Sequence, residues 1–189
     1  MDIDPARTLN EFSEISGQPV ESMLQFYREK PFFREYEAGK LSDKSFRDQI
    51  RKTLNISSSD QEIDEAWNAM LIGIPEAKMD LLKNAREKFK IFLLSNTNNI
   101  HRLKFEQFFD DLSDGEGVDS IFEKVYYSFL MDSRKPDPAV FLTVLRENSL
   151  AASETLVIDD NPENIEAAKS LSLPVLEVSM NQPIIVLPE

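Results

Sequence analysis

The sequence predicts an α/β fold in which a doubly wound parallel sheet follows a segment of helices. From residue 75 onward, short apolar runs alternate with stretches of helical periodicity, and this alternation is typical of βαβ units in a parallel sheet. Before residue 75, the apolar residues recur at helical spacing only, which favours helices. We therefore expect a helical subdomain over residues 1–75 and an α/β core domain over residues 76–189.

The first segment predicts four or five helices and no strand. Asp4 and Pro5 supply an N-cap and a first-position proline for the first helix. Ser42 is expected to cap a later helix, and residues 59–62 have the pattern of a capping box. The Phe and Tyr residues between positions 26 and 36, together with Trp67, are expected to form the core of this subdomain.

The second segment predicts four strands with helices between them. Residues 91–94 are a continuous apolar run, which indicates a strand that is buried on both faces. A stretch at 77–89 with helical periodicity precedes this run. The strands and helices expected after it lie, in chain order, at residues 100–109, 125–130, 139–147, 156–159, 162–171 and 174–178.

The composition excludes several classes of protein. The formal net charge of −13 and the isoelectric point near 4.6 argue against nucleic acid or a membrane surface as a partner, since both favour a basic face. The chain has no cysteine, which excludes disulfides and zinc–thiolate sites, and a cytoplasmic location is expected. No apolar run has the length of a membrane span, and no signal-peptide pattern is visible.

Two adjacent carboxylates, Asp159 and Asp160, directly follow the apolar run at 156–158. Pro162 suits the first position of a helix, so the segment predicts a strand, an acidic tip and a helix. Ligands bind at the carboxyl ends of strands in open α/β sheets, and oxygen ligands of this kind suit Mg²⁺. The alternative is that one carboxylate caps the helix and the other is solvated.

Polar residues follow two other predicted strands. Ser95 and Asn96 come directly after the run at 91–94, where a hydroxyl, an amide and free backbone N–H groups at a helix start can hold a phosphate. Lys135 lies in a proline-stiffened loop after the strand at 125–130, and a lysine suits phosphate as a point charge. Taken alone, each stretch is also typical of an ordinary surface turn.

The order of these three stretches resembles the haloacid dehalogenase-like (HAD) hydrolase superfamily, in the branch with a helical cap. The segments LLSNT, RKPDPAVF and VIDDNPENIEAA match the second, third and fourth motifs of that superfamily, and FREYEAGKLSDKSFRDQI is similar to its cap. The resemblance implies a Rossmann-like core, a Mg²⁺ cofactor and phosphatase activity on a small phosphorylated metabolite through an aspartyl-phosphate intermediate. It implies catalytic roles for Ser95 and Lys135.

The resemblance also assigns the binding residues. Ser95, Asn96 and Lys135 would bind the phosphate, and Asp159 would be a Mg²⁺ ligand. Asp160 would be a second ligand or a partner of the first. The family's first motif, an apolar strand that ends in the nucleophilic Asp, is expected before the cap but is absent from this sequence.

We interpret Asp4 as the cap of the first helix and Asp2 as a solvated terminal residue, and neither as the nucleophile. The expectation is that the sequence is incomplete and lacks the first, central strand. In a true short form another segment would fill that position. The apolar run at 182–187 is the only spare one, and Pro183 makes it a poor central strand.

Several alternatives remain open at this point. A 2-haloacid dehalogenase-type hydrolase would need no metal, and the Asp159–Asp160 pair argues against it. A non-catalytic binding or regulatory protein could keep the fold without the nucleophile. A phospho-receiver domain would have its acidic pair first and its lysine last in the chain, which is the opposite order. His101 is expected at the surface, and the sequence determines neither the substrate nor the oligomeric state.

Overall fold

A computed structural model describes residues 1–178 of the chain. The helical part contains two short strands and five helices before residue 75. Their bounds are β1 (Asp2–Ile3), α1 (Pro5–Ser16), α2 (Val20–Glu29), α3 (Phe32–Glu37), α4 (Asp43–Leu54), α5 (Asp60–Asn68) and β2 (Leu71–Gly73). The five helices confirm the prediction for this segment.

The helices begin where their capping residues predict. The Asp4 side chain accepts a hydrogen bond from the Ala6 N–H (3.1 Å) at the start of α1. The Ser42 hydroxyl accepts one from the Ser45 N–H (3.2 Å) at the start of α4. Ser59 and Glu62 form both halves of the capping box at the start of α5. Each contact satisfies a backbone donor that the helix leaves unpaired.

The expectation of no strand before residue 75 is wrong. β1 and β2 form an antiparallel pair, which the sequence does not reveal because two- and three-residue strands are too short to show an alternating pattern. The Asp2 carboxylate, expected to be solvated, forms an ion pair with Lys78.

The second part of the described chain alternates strands with helices, as predicted. Its elements are α6 (Glu76–Arg86), β3 (Phe92–Ser95), α7 (Asn99–Leu112), β4 (Lys124–Tyr127), α8 (Pro138–Glu147), β5 (Val157–Asp159), α9 (Pro162–Ser170) and β6 (Val175–Glu177). The strand predicted over residues 125–130 ends earlier, because residues 128–130 turn into a short 3₁₀-helix.

The parallel strands form two separate pairs. β3 pairs with β4 and β5 pairs with β6, both in parallel, and in residues 1–178 no strand is hydrogen-bonded between the two pairs. All four residues of β3 are only half-buried, and Ile158 in β5 is 39% exposed. The full burial predicted from the apolar run at 91–94 is therefore wrong, since a strand in a two-stranded pair has less cover than one inside a larger sheet. The absence of a central strand stays a prediction.

Three clusters of buried side chains hold these elements together. The first is built almost entirely from α1–α5 and is rich in aromatic rings, as predicted. Trp67 packs against Phe33 and Phe46, with ring centroids 5.3 Å and 5.2 Å apart. Ile100 in α7 belongs to the same cluster, so the helical segment packs on the α/β part at α7.

Part of the sequence lies outside the described residues. The apolar run at 182–187 falls there, so its proposed unsuitability as a strand stays a prediction. Among residues 1–178, no helix is both long and apolar enough to cross a membrane.

Candidate active site

Two of the predicted site residues end parallel strands. Ser95 is the last residue of β3, and Asp159 is the last residue of β5. Lys135 lies in the loop between β4 and α8. The carboxyl ends of parallel strands are where α/β proteins bind their ligands, and these residues lie at or just after such ends.

Lys135 and Asp159 form a shielded ion pair. The Lys135 Nζ donates to Asp159 Oδ2 at 2.6 Å, and the two side chains are only 13% and 5% exposed. A charge-assisted hydrogen bond this short is among the stronger polar contacts in proteins. The interpretation of Lys135 as part of a plain surface turn is therefore wrong.

The second carboxylate oxygen of Asp159 is also engaged. Asp159 Oδ1 accepts hydrogen bonds from the Asn161 N–H and from the Asn164 amide, both at 2.9 Å. Burial raises the pKa of Asp159, but the Lys135 charge and these hydrogen bonds outweigh it and hold the pKa below its usual value. The carboxylate is therefore ionised at neutral pH and fixed in orientation.

The cap of α9 is Asn161, whose side chain accepts from the Glu163 N–H (2.8 Å). The alternative in which Asp159 or Asp160 caps this helix is therefore wrong. Asn164, which sequence reasoning missed, is buried and orients Asp159. Its position one turn into the helix after an acidic strand end is a signal that could have identified it.

Asn96 positions Lys135 rather than standing free. Its amide donates to the Lys135 carbonyl oxygen, and its own oxygen accepts from the Lys135 N–H, both at 2.8 Å. This two-point contact ties the loop after β3 to the loop after β4. The Asn96 side chain expected to bind phosphate is occupied in this structure by the Lys135 backbone.

Ser95 and Asp160 are the two predicted residues without a fixed partner. Ser95 is half-buried at the end of β3, and Asp160 is exposed directly after β5. In the part of the chain that the structure describes, neither side chain makes a hydrogen bond or ion pair. Each is the sequence neighbour of a residue whose side chain does form hydrogen bonds, Asn96 for Ser95 and Asp159 for Asp160.

The residues at this edge fit Mg²⁺ as a small set of oxygen donors. Within residues 1–178 no cluster of three or more His, Cys, Asp or Glu residues could hold a metal by itself. Mg²⁺ is commonly held by one or two carboxylates while water and phosphate oxygens complete its shell. Asp159 and Asp160 supply that minimum. Lys135 donates to one Asp159 oxygen, and Asn161 and Asn164 donate to the other.

An ion pair that sequence reasoning missed joins the helical segment to this edge. Glu37, at the end of α3, lies 3.1 Å from the Arg134 guanidinium. The Ser128 hydroxyl donates to the Glu37 carbonyl oxygen at 2.6 Å and accepts from the Thr97 N–H at 3.0 Å. No sequence signal connects Glu37 to Arg134, because the contact depends on how the helical segment packs.

His101 is buried, so its predicted surface position is wrong. It lies one turn after the Asn98 cap of α7, and its ring stacks on Trp67 with centroids 4.7 Å apart. Its two ring nitrogens contact the Asn98 amide (3.1 Å) and the Trp67 carbonyl oxygen (3.0 Å). Burial lowers its pKa to about 4, so the ring is neutral and serves the packing of α5 on α7.

Comparisons with known proteins show that this chain is similar to hydrolases. The family model described as haloacid dehalogenase-like hydrolase matches residues 6–178. The D-ribitol-5-phosphate phosphatase of Bacteroides thetaiotaomicron is 28% identical over 171 residues, which cover 90% of this chain and 82% of that protein.

Solved structures give the same result. The crystal structure of a HAD family enzyme from B. thetaiotaomicron is 33% identical, with a TM-score of 0.90, and the match covers 97% of this chain and 90% of that one. A structure of the wild-type enzyme in complex with magnesium and inorganic phosphate is 31% identical, with a TM-score of 0.90 and coverage of 97% and 91%. L-2-haloacid dehalogenase from Xanthobacter autotrophicus, 17% identical with a TM-score of 0.61 and coverage of 94% and 73%, shares the fold alone.

Proposed function

This chain belongs to the haloacid dehalogenase-like hydrolase family, and from this premise we propose that it acts as a Mg²⁺-dependent phosphatase of a small phosphorylated metabolite. The family membership confirms the sequence resemblance and the α/β fold class. The metal, the reaction and the site residues are the proposal, together with a helical cap over residues 1–75 and an α/β core over residues 76–189.

The observation that carries the proposal is the shielded Lys135–Asp159 pair beside the end of β3. A phosphoryl group bound there would meet the Lys135 ammonium and the Ser95 hydroxyl, both able to donate to its oxygens. Asp159, ionised and oriented by Asn164, would hold Mg²⁺ with Asp160 as a second ligand or its partner. Bound Mg²⁺ would supply further positive charge to the phosphoryl oxygens.

The reaction also needs a carboxylate nucleophile to form an aspartyl-phosphate. The described residues bring no third carboxylate to Asp159 and Asp160. The proposal therefore assigns the nucleophile to none of residues 1–178. Without it, the chain would bind phosphate and not turn over, as a non-catalytic member of the family would.

The name of the Bacteroides relative supports a small phosphate ester as the substrate. A cap of helices over the strand ends would exclude water and select the leaving group. We therefore place D-ribitol 5-phosphate first in a panel of phosphorylated polyols and sugars.

The proposal is tested with the protein isolated from its own cells. We expect it to release phosphate from members of the panel with Mg²⁺, and EDTA to abolish the release until Mg²⁺ is restored. Phosphate release that survives EDTA would contradict the proposal. Chloride release from 2-chloropropionate without metal would support the dehalogenase alternative, and binding of phosphate without any turnover would support the non-catalytic one.

A further inference from the structure

We propose that Glu37 and Arg134 form a recognition pair for hydroxyl groups on the leaving group of the substrate. The proposal deepens the proposed function and rests on it. It assigns the chemical class of the substrate, a hydroxylated phosphate monoester, to two side chains on opposite sides of the boundary between α3 and the loop after β4.

The pair lies next to the candidate phosphate site. Arg134 immediately precedes Lys135, whose Nζ contacts Asp159. The Glu37 backbone is linked through the Ser128 hydroxyl to Thr97, two residues after Ser95. Glu37 is therefore linked to the loop after β3, and Arg134 is the sequence neighbour of Lys135, which would bind the phosphate.

Both charged groups have unused hydrogen-bonding capacity. The two side chains are 33% (Arg134) and 18% (Glu37) exposed, and their single ion contact is 3.1 Å long. Within residues 1–178 they make no other side-chain hydrogen bond, and the Arg134 Nε–H is buried with no acceptor. Because a buried donor without a partner costs free energy, this arrangement is poor as a purely structural contact.

The groups around the pair support ligand binding from the helical side. Tyr27 is 38% exposed, and it lies close enough to Glu37 and Arg134 for their charges to affect its pKa, which burial raises. The Tyr27 ring, which packs on Phe33 and Trp67, adds an apolar surface on the same side of the molecule as the two charged groups. This combination suits the carbon chain and the oxygens of a polyhydroxylated molecule.

A hydroxyl group satisfies both members of the pair. It donates to the Glu37 carboxylate and accepts from the Arg134 guanidinium. An apolar leaving group would shield the ion pair from water and offer neither charged group a hydrogen bond. The pair therefore favours hydroxylated leaving groups over apolar ones.

The test compares two phosphate monoesters as substrates of the full-length protein in the presence of Mg²⁺. The measured quantity is the ratio of kcat/KM for a five-carbon polyol phosphate to kcat/KM for phenyl phosphate, whose leaving group carries no further hydroxyl. Glu37→Gln is expected to lower this ratio about tenfold or more, since hydrogen bonds to charged groups contribute about 1.5–3 kcal/mol. Glu35→Gln, an exposed carboxylate on the same helix, is the matched control and should leave the ratio unchanged.

Arg134→Lys provides a second variant, which keeps the charge and loses the planar fork. Arg134→Lys should also lower the ratio of kcat/KM values, and it tests the inference independently if Glu37→Gln does not fold. Equal losses on both substrates in the variants, with a lower unfolding midpoint, would show that the pair is only a tether between cap and core and would overturn the inference. If the wild type releases phosphate from neither ester, the proposed function fails, and this inference fails with it.

Discussion

At the scale of single residues, the structure assigns different tasks to neighbouring polar groups. Asp159 is ionised, buried and held by three donors, whereas Asp160 is exposed. Adjacent carboxylates with such different surroundings have different chemical roles. We expect Asp159 to fix the position of a cation and Asp160 to remain free to adjust to the ligand.

His101 provides a prediction on stability. Its pKa is lowered to about 4 by burial, compared with about 6.5 in an unfolded chain. Folding therefore favours the neutral ring, and the stability it contributes is present above pH 6.5 and is lost as the pH falls towards 4. The loss is expected to reach about 3 kcal/mol at most.

The measurement is urea unfolding between pH 7 and pH 4 of the wild type and of His101→Phe, which keeps a ring against Trp67 and cannot titrate. The unfolding free energy of the variant should lack the part of its pH dependence that comes from protonation of the imidazole. Identical slopes of unfolding free energy against pH in the two proteins would contradict the assignment.

At the scale of elements, the helical segment approaches the α/β part closely at Gly39. Its φ is +73°, and a Cβ atom there would collide with the Phe129 backbone oxygen. Gly17 has a similar φ of +65° and open space around it. Alanine at Gly17 would cost only the free energy of a left-handed backbone, whereas alanine at Gly39 would add the free energy of a steric clash.

Gly39→Ala is expected to destabilise the protein by about 1–3 kcal/mol more than Gly17→Ala, since backbone against a new methyl group must shift. Thermal unfolding of both variants measures the difference. Equal losses would show that α3 can move away from the Phe129 backbone at no cost, and that the approach does not position Glu37.

The sequence predicts those elements whose signals are local. Caps such as Ser42 and Ser59 place the helix starts, and the alternation after residue 75 predicts the parallel strands. β1 and β2 escape prediction because they are too short for a pattern, and the strand after residue 124 ends early because Ser128 turns towards the backbone of α3. The burial of His101 depends on Trp67, a tertiary contact that local spacing cannot reveal.

At the scale of the whole molecule, the order of the motifs predicts which residues lie near one another. Lys135 and Asp159 come together because consecutive parallel strands end at one edge of the fold. The Glu37–Arg134 pair could not be predicted, since it joins two parts of the chain whose packing is not encoded in any motif.

The most direct test of the account is the loss of phosphatase activity on replacement of Lys135. In the full-length protein with Mg²⁺, Lys135→Met should lower kcat/KM for phosphate release by about 100-fold or more, the cost typical of removing a group that stabilises transition-state charge. Lys88→Met, at an exposed lysine, is the control, and unfolding midpoints verify that both variants fold. A folded Lys135→Met variant as active as the wild type would contradict the claim that this edge of the sheet is the active site.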